Sequence, residues 1–99
     1  MAYGILLEFD NSVGKTQYDA VNEKLGIDMA NGGAGQWPDG LISHAGGTTS
    51  DGFIVYEVWE SKAKQEAFMA GALGAALGAI GLPQPRKVTE VDIVGHHAP

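Results

Sequence analysis

The chain contains no cysteine. Disulfides, thiolate nucleophiles and cysteine-based zinc or iron–sulfur sites are therefore excluded. Positive charge is scarce as well. Six Lys and Arg stand against twelve Asp and Glu, a net charge of −6. Nucleic acids and anionic membrane surfaces demand a cationic footprint, and six scattered cations do not make one. Long apolar runs are also missing. The longest, residues 67–82, has 16 residues and is rich in Gly and Ala. A membrane-spanning helix needs about 20 residues of greater hydrophobicity. The stretch from Met1 to Glu8 has no basic region, and its apolar run stops at Glu8. No signal peptide is read there, and a cytoplasmic location is expected.

What is present describes a small globular domain. Ninety-nine residues, 44% hydrophobic and 18% charged, are enough for one domain over 1–99. Glycine is the compositional anomaly, with 15 residues, about twice the usual share.

Periodicity orders the elements. Residues 2–9 alternate weakly and are apolar, which predicts a first strand ending near Asp10. Thr16 followed by Asp19 reads as a capping-box variant, and Tyr18, Val21 and Leu25 share one helical face. Gly26 suits the position just past the helix. Residues 27–40 read as a long loop carrying Trp37, and loops of this length are often functional. A short strand over 41–45 and a longer one over 53–59 flank a glycine-rich hairpin connection. Ser61 then caps a single long helix whose buried stripe is Met69, Leu73, Ala76, Leu77 and Ile80, ended by Gly81 and Pro83. Gly71, Gly74 and Gly78 inside it each cost about 1 kcal/mol relative to Ala. A close approach to the sheet, or room for a ligand, would account for them; so would drift in a GC-rich genome. A last strand covers 88–94.

The order β-α-β-β-α-β matches the ferredoxin-like α+β plan: a four-stranded antiparallel sheet with both helices on one face. The opposite face is left bare. Residues 53–59 are apolar at both parities, so that face is apolar too. An exposed surface of this kind predicts a homodimer joined sheet to sheet.

Tyr56-Glu57-Val58-Trp59-Glu60-Ser61 runs straight from a strand into the second helix. It resembles the Glu-x-Trp-x-Ser/Asp junction of the dimeric α+β barrel superfamily, which includes antibiotic biosynthesis monooxygenase-like proteins, polyketide cyclases and small actinobacterial proteins. Residues 38–44, Asp51-Gly52-Phe53 and Phe68 fit the same pattern. The resemblance implies a dimer with a small cavity between sheet and helices. Monooxygenase-like members often carry a His early in the second helix. Here Lys62-Ala63-Lys64-Gln65-Glu66-Ala67-Phe68 holds none.

His44 is the most suggestive residue for chemistry. It stands in an apolar strand, where an imidazole can act as general base near neutral pH. The alternative is a core histidine satisfied by one acceptor. Its sheet face depends on hairpin register. A turn centred between Thr49 and Ser50 puts His44 opposite Val55, on the face of Glu57 and Trp59. A slip of one residue puts it beside Tyr56. Glu57 would orient the ring, and Tyr56 would add a proton donor; both readings stay open here. Trp37, Trp59 and Phe68 are candidate ligand surfaces, Trp37 as a lid, though a strand-end tryptophan such as Trp59 is more often core or dimer interface. His96 and His97 close the chain, but His44 is remote from them in sequence, and no metal site is expected. Gly14-Lys15-Thr16 lacks the glycine five residues earlier that a phosphate-binding loop needs. Gly32-Gly33-Ala34-Gly35 follows no strand and opens no helix, so no dinucleotide site is read.

These readings converge on a small cofactor-independent enzyme acting on an aromatic or polyketide-like molecule. His44, Tyr56 and Glu57 would do the chemistry, and Trp37, Trp59 and Phe68 would hold the ligand. An oxygenase would deprotonate a phenol for reaction with dioxygen. A cyclase or isomerase would abstract a proton beside a carbonyl. A non-catalytic small-molecule-binding or structural dimer is the alternative of another class.

Overall fold

The computed structural model describes residues 2–28, 34–35 and 37–95. The first strand, β1 (Tyr3–Asp10), alternates as expected. Ile5, Leu7 and Phe9 are buried on one face. Helix α1 follows over Lys15–Leu25. It begins earlier than Thr16 and Asp19 had indicated, because Gln17 Oε1 accepts from the Gly14 backbone N–H at 2.9 Å. Gly14 is therefore the cap. Gly26 ends the helix in the left-handed conformation, φ 79°, a geometry that glycine enters without steric cost.

The segment read as a loop contains a two-residue ribbon, β2 (Ile27–Asp28) paired with β3 (Ala34–Gly35). The hairpin is longer than the sequence indicated. β4 runs over Leu41–Thr49 and β5 over Gly52–Trp59, so residues 46–49 belong to the strand rather than to the turn. Only Ser50 and Asp51 lie between the last paired residues, Thr49 and Gly52. The last strand, β6 (Lys87–Asp92), pairs with β1. The main sheet has the order β4-β5-β1-β6, antiparallel at every pairing. β1 and β4 are thus parallel to each other with β5 between them, which is the ferredoxin-like arrangement.

The second helix is not continuous. α2 (Lys62–Phe68) and α3 (Gly74–Ile80) are joined by a π-helical turn over Met69–Leu73. Ser61 caps α2, its hydroxyl accepting from the Lys64 N–H. Gly71 leaves helical geometry inside the π turn, at φ −104° and ψ −109°. A Cβ at Gly74 would come within 2.6 Å of the Met69 carbonyl oxygen. Gly71 and Gly78 have nothing within 4 Å of where a Cβ would stand. Gly71 and Gly74 therefore serve a break in the helix, and none of the three glycines marks a close approach to the sheet. π turns of this kind recur at functional sites.

The core lies between the sheet and the helices. Ile5, Leu7, Phe9, Val13, Phe53 and Trp59 form one buried cluster, with Tyr18, Leu41, Phe68 and Leu82 packed against it. Trp59 has no exposed surface at all. Tyr3 ties β1 to the edge strand by donating to Glu90 at 2.9 Å, and Glu90 also pairs with Lys62 at 2.9 Å. Among the described residues, no helix is long and apolar enough to cross a membrane.

Candidate functional site

Register decides which residues meet. Leu41 pairs with Trp59, but Ser43 pairs with Val58, so Ile42 is an extra residue in β4. The bulge shifts only the Leu41 end of β4. From the turn, Thr49 pairs with Gly52 and the ladder runs unbroken to His44, which stands opposite Glu57. Glu57 pairs in turn with Ile5 of β1, whose side chain is buried in the core. His44 therefore points inward, toward the helices. Tyr56 points the other way. A Cβ placed on Gly4 would come within 3.1 Å of the Tyr56 hydroxyl and 3.2 Å of Val91 Cβ, on the outer face. The structure brings Glu57 to His44 and does not bring Tyr56 there.

The phenol at His44 belongs to Tyr18, on α1. Its hydroxyl is hydrogen-bonded to His44 Nε2. The two rings stack, with centroids 5.7 Å apart and an interplanar angle of 13°. On the other side of the imidazole, Nδ1 lies 2.8 Å from Glu57 Oε2. Both side chains of that pair are under a tenth exposed, at 9% and 7%. The second carboxylate oxygen, Oε1, accepts from Trp59 Nε1–H at 3.2 Å. The result is a buried chain: Trp59 to Glu57 to His44 to Tyr18. A carboxylate facing Nδ1 fixes the proton there and leaves the Nε2 lone pair for the Tyr18 hydroxyl. Burial pushes the Tyr18 phenol above its ordinary pKa, and the Glu57 carboxylate adds to the rise.

This chain borders a cavity of about 70 Å³ lined almost entirely by apolar side chains, among them Leu7, Phe9, Phe53, Leu73 and Leu77. By this measure one water needs roughly 10–15 Å³, so the space holds several heavy atoms. His44, Glu57, Trp37 and Phe68 all line it. Trp37 leans on His44, with ring centroids 5.1 Å apart. Trp59 does not reach the cavity. It packs on Phe68 at 5.6 Å and is wholly buried, so its surface serves the core. A larger open cleft of about 930 Å³ lies outside, lined by Lys15, Asp19, Glu23, Gly46 and Gly47 among others. Tyr18, Asn22, Ile27 and Phe53 border both spaces.

Two residues of the site escaped the sequence reading. Tyr18 was placed on the buried helical face, and nothing in one sequence links it to His44, 26 positions away. Asn22 sits one turn beyond Tyr18 on the same face. Its signal was a polar residue in an apolar stripe. Asn22 is 4% exposed, and its Nδ2 has no hydrogen-bond partner among the described residues. The amide lies near enough to the Tyr18 hydroxyl to favour its ionised form, without the geometry of a hydrogen bond. Leaving a buried donor unpaired costs about 1–3 kcal/mol.

Gly46 makes room for Tyr18. A Cβ there would stand 2.7 Å from Tyr18 Cε1 and Cζ. The Gly46→Ala substitution gains about 0.5–1 kcal/mol by restricting the unfolded chain and loses about 1–3 kcal/mol by overpacking. We expect a net loss of about 1–2 kcal/mol and, more tellingly, displacement of the Tyr18 hydroxyl from His44. Imidazole ¹⁵N shifts of the variant check this; unchanged Nε2 shifts would contradict it.

His96 and His97 lie outside the described residues. Among the described residues, no three His, Cys, Asp or Glu side chains converge as a metal site.

No protein-family model matches this chain, and no curated protein matches it either. Solved structures do. A putative antibiotic biosynthesis monooxygenase from Chloroflexus aurantiacus superposes with a TM-score of 0.67 at 19% identity, over 99% of this chain and 98% of that one. The ActVA-Orf6 monooxygenase of Streptomyces coelicolor, solved in complex with nanaomycin D, gives 0.55 at 22% identity, over 99% and 90%. A dimeric ferredoxin-like protein of unknown function from Thermobifida fusca gives 0.51 at 20% identity, over 91% and 86%. The chain thus has the ferredoxin-like α+β fold of the antibiotic biosynthesis monooxygenase group. At these identities the likeness is one of fold.

Proposed function

We propose that this protein is a small cofactor-independent enzyme acting on an aromatic or polyketide-like molecule, with His44 as general base. The observation that supports it is the buried Glu57–His44–Tyr18 chain on the wall of an apolar cavity. Proton abstraction needs a base within hydrogen-bond reach of the substrate and a carboxylate to stabilise the cation that forms. Here a substrate phenol passes its proton to Nε2, either by displacing the Tyr18 hydroxyl or through it. The imidazolium is then held by Glu57. Trp37 and Phe68 offer ring faces to the ligand.

Two routes lead on from the anion. In the oxygenase route dioxygen is the co-substrate. The phenolate is oxidised by two electrons as a ring carbon bonds to oxygen, and the outer oxygen takes the proton back from the imidazolium as a hydroperoxide. In the cyclase or isomerase route His44 removes a proton beside a carbonyl, and the resulting enolate forms a carbon–carbon bond or is reprotonated elsewhere. Aromatic phenols and polyketide-like ketones, incubated with and without oxygen and followed by oxygen uptake and product mass, separate the two. Turnover that is independent of His44 would sink both.

A second reading rests on the small cavity and on a His44 whose ring nitrogens are both bonded inside the protein. Cavities of drug-sized ligands usually measure about 300–1,000 Å³. A binding protein without turnover fits those facts, and ligand binding with no product across the same panel supports it.

Either reading includes a homodimer. Leu6, Ile54, Tyr56, Val91 and Ile93 lie on the outer sheet face and keep part of their surface in water. A second copy of that face would cover them. Sedimentation equilibrium is expected to give a dimer at micromolar concentration, and Ile54→Lys a monomer. A wild-type monomer at all concentrations would remove this part of the proposal.

A further inference from the structure

We propose that Asn22 is a ligand-binding residue, its Nδ2–H donating to a carbonyl oxygen of an aromatic ligand at the junction of the inner cavity and the outer cleft. Three observations carry this. Asn22 is more than nine-tenths buried, yet its Nδ2 has no acceptor among the described residues. It borders both the inner cavity and the outer cleft. The walls around it are otherwise almost wholly apolar, and the nearby Tyr18 hydroxyl is engaged with His44 and lacks hydrogen-bond geometry to the amide. Unpaired buried donors are rare in folded proteins and are expected to find a partner when the site is filled.

The geometry narrows the ligand. An amide N–H with no acceptor selects an oxygen with a lone pair and rejects a donor-only group. The surrounding rings of Phe53 and Tyr18 select an aromatic body. Tyr18 lies between Asn22 and His44, with its hydroxyl near both. A carbonyl held at Asn22 thus presents its neighbouring acidic proton toward the Tyr18–His44 pair. This inference rests on the proposed chemistry at His44 and names its substrate class as an aromatic ketone, with the partial positive charge of the amide hydrogen favouring the enolate as it forms.

The test compares acetophenone with ethylbenzene, the same skeleton without the carbonyl oxygen. Ethylbenzene is the more apolar of the two, and an apolar cavity alone would favour it. Each is titrated into the ¹⁵N-labelled full chain by NMR. We expect acetophenone to bind about 10-fold tighter and to shift the Asn22 side-chain amide downfield. Asn22→Leu should lose this preference and bind ethylbenzene at least as well as acetophenone, and Asn22→Ala serves if the leucine variant fails to fold. Equal binding by the wild type, a preference that survives both substitutions, or no binding of either probe at millimolar concentration overturns the assignment. The readout is binding rather than turnover. Loss of discrimination therefore leaves His44 chemistry standing, and a turnover independent of His44 leaves the Asn22 assignment standing.

Discussion

Trp59→Ala is expected to destabilise the protein by about 3–5 kcal/mol. Trp59 is wholly buried and packs on Phe68 at a ring separation of 5.6 Å. Its removal leaves the largest possible cavity in this core. It also removes the Nε1–H donor to Glu57. Domains of this size are stable by only about 5–15 kcal/mol, so much of the margin is lost. Trp59→Phe separates the two contributions. It keeps an aromatic body but leaves Glu57 Oε1 without that donor, at a cost of about 1–3 kcal/mol beyond the volume lost. Urea denaturation measures both. A loss below about 1 kcal/mol for the alanine variant would mean that the core does not depend on this ring.

Removal of the His44 imidazole is expected to lower turnover by about 10²–10⁴-fold, the usual contribution of a positioned general base. The alanine variant has a second consequence. Glu57 is buried and would keep only Trp59 as partner. A buried carboxylate stripped of its partner is costly, so His44→Ala loses stability as well as activity. His44→Asn distinguishes the two effects. Its amide can still donate toward Glu57, but it has no basic nitrogen. Equal loss of turnover in both variants, with better stability in the asparagine one, is the expected pattern. Activity retained by the asparagine variant would show that the ring positions neighbours rather than moving protons.

The element order was legible because each element repeats its period several times. Residues 2–9 alternate weakly, residues 53–59 form a continuous β-rich apolar run, and Tyr18, Val21 and Leu25 recur at helical spacing. The face of His44 stayed open because it turns on the hairpin register. The turn at Ser50 and Asp51 pairs Thr49 with Gly52 and so sets His44 opposite Glu57, on the face of Glu57 and Trp59. A glycine-rich connection does not mark which of its residues form the turn. The glycines misled in a different way. Gly46 and Gly47 read as a turn, yet they lie within β4, where a glycine at 46 lets the Tyr18 ring lie against the strand. The break at Gly71 was half visible: three glycines in one helix signalled a backbone reason, but not that the reason was a π turn. Of the candidate site, His44, Glu57, Trp37 and Phe68 come together at the cavity. Tyr18 took the part assigned to Tyr56, since a contact between α1 and β4 is set by packing across 26 residues.

The central claim is that His44 is a base held by Glu57 and reached by a ligand at Nε2 in place of the Tyr18 hydroxyl or through it. The most direct measurement is the pair of imidazole ¹⁵N shifts of His44, recorded at neutral pH with and without aromatic phenols and ketones. The account predicts a proton fixed on Nδ1 and an Nε2 signal that moves when a ligand binds. A proton on Nε2, or a ring that ignores every ligand, would contradict it and leave His44 as a structural histidine.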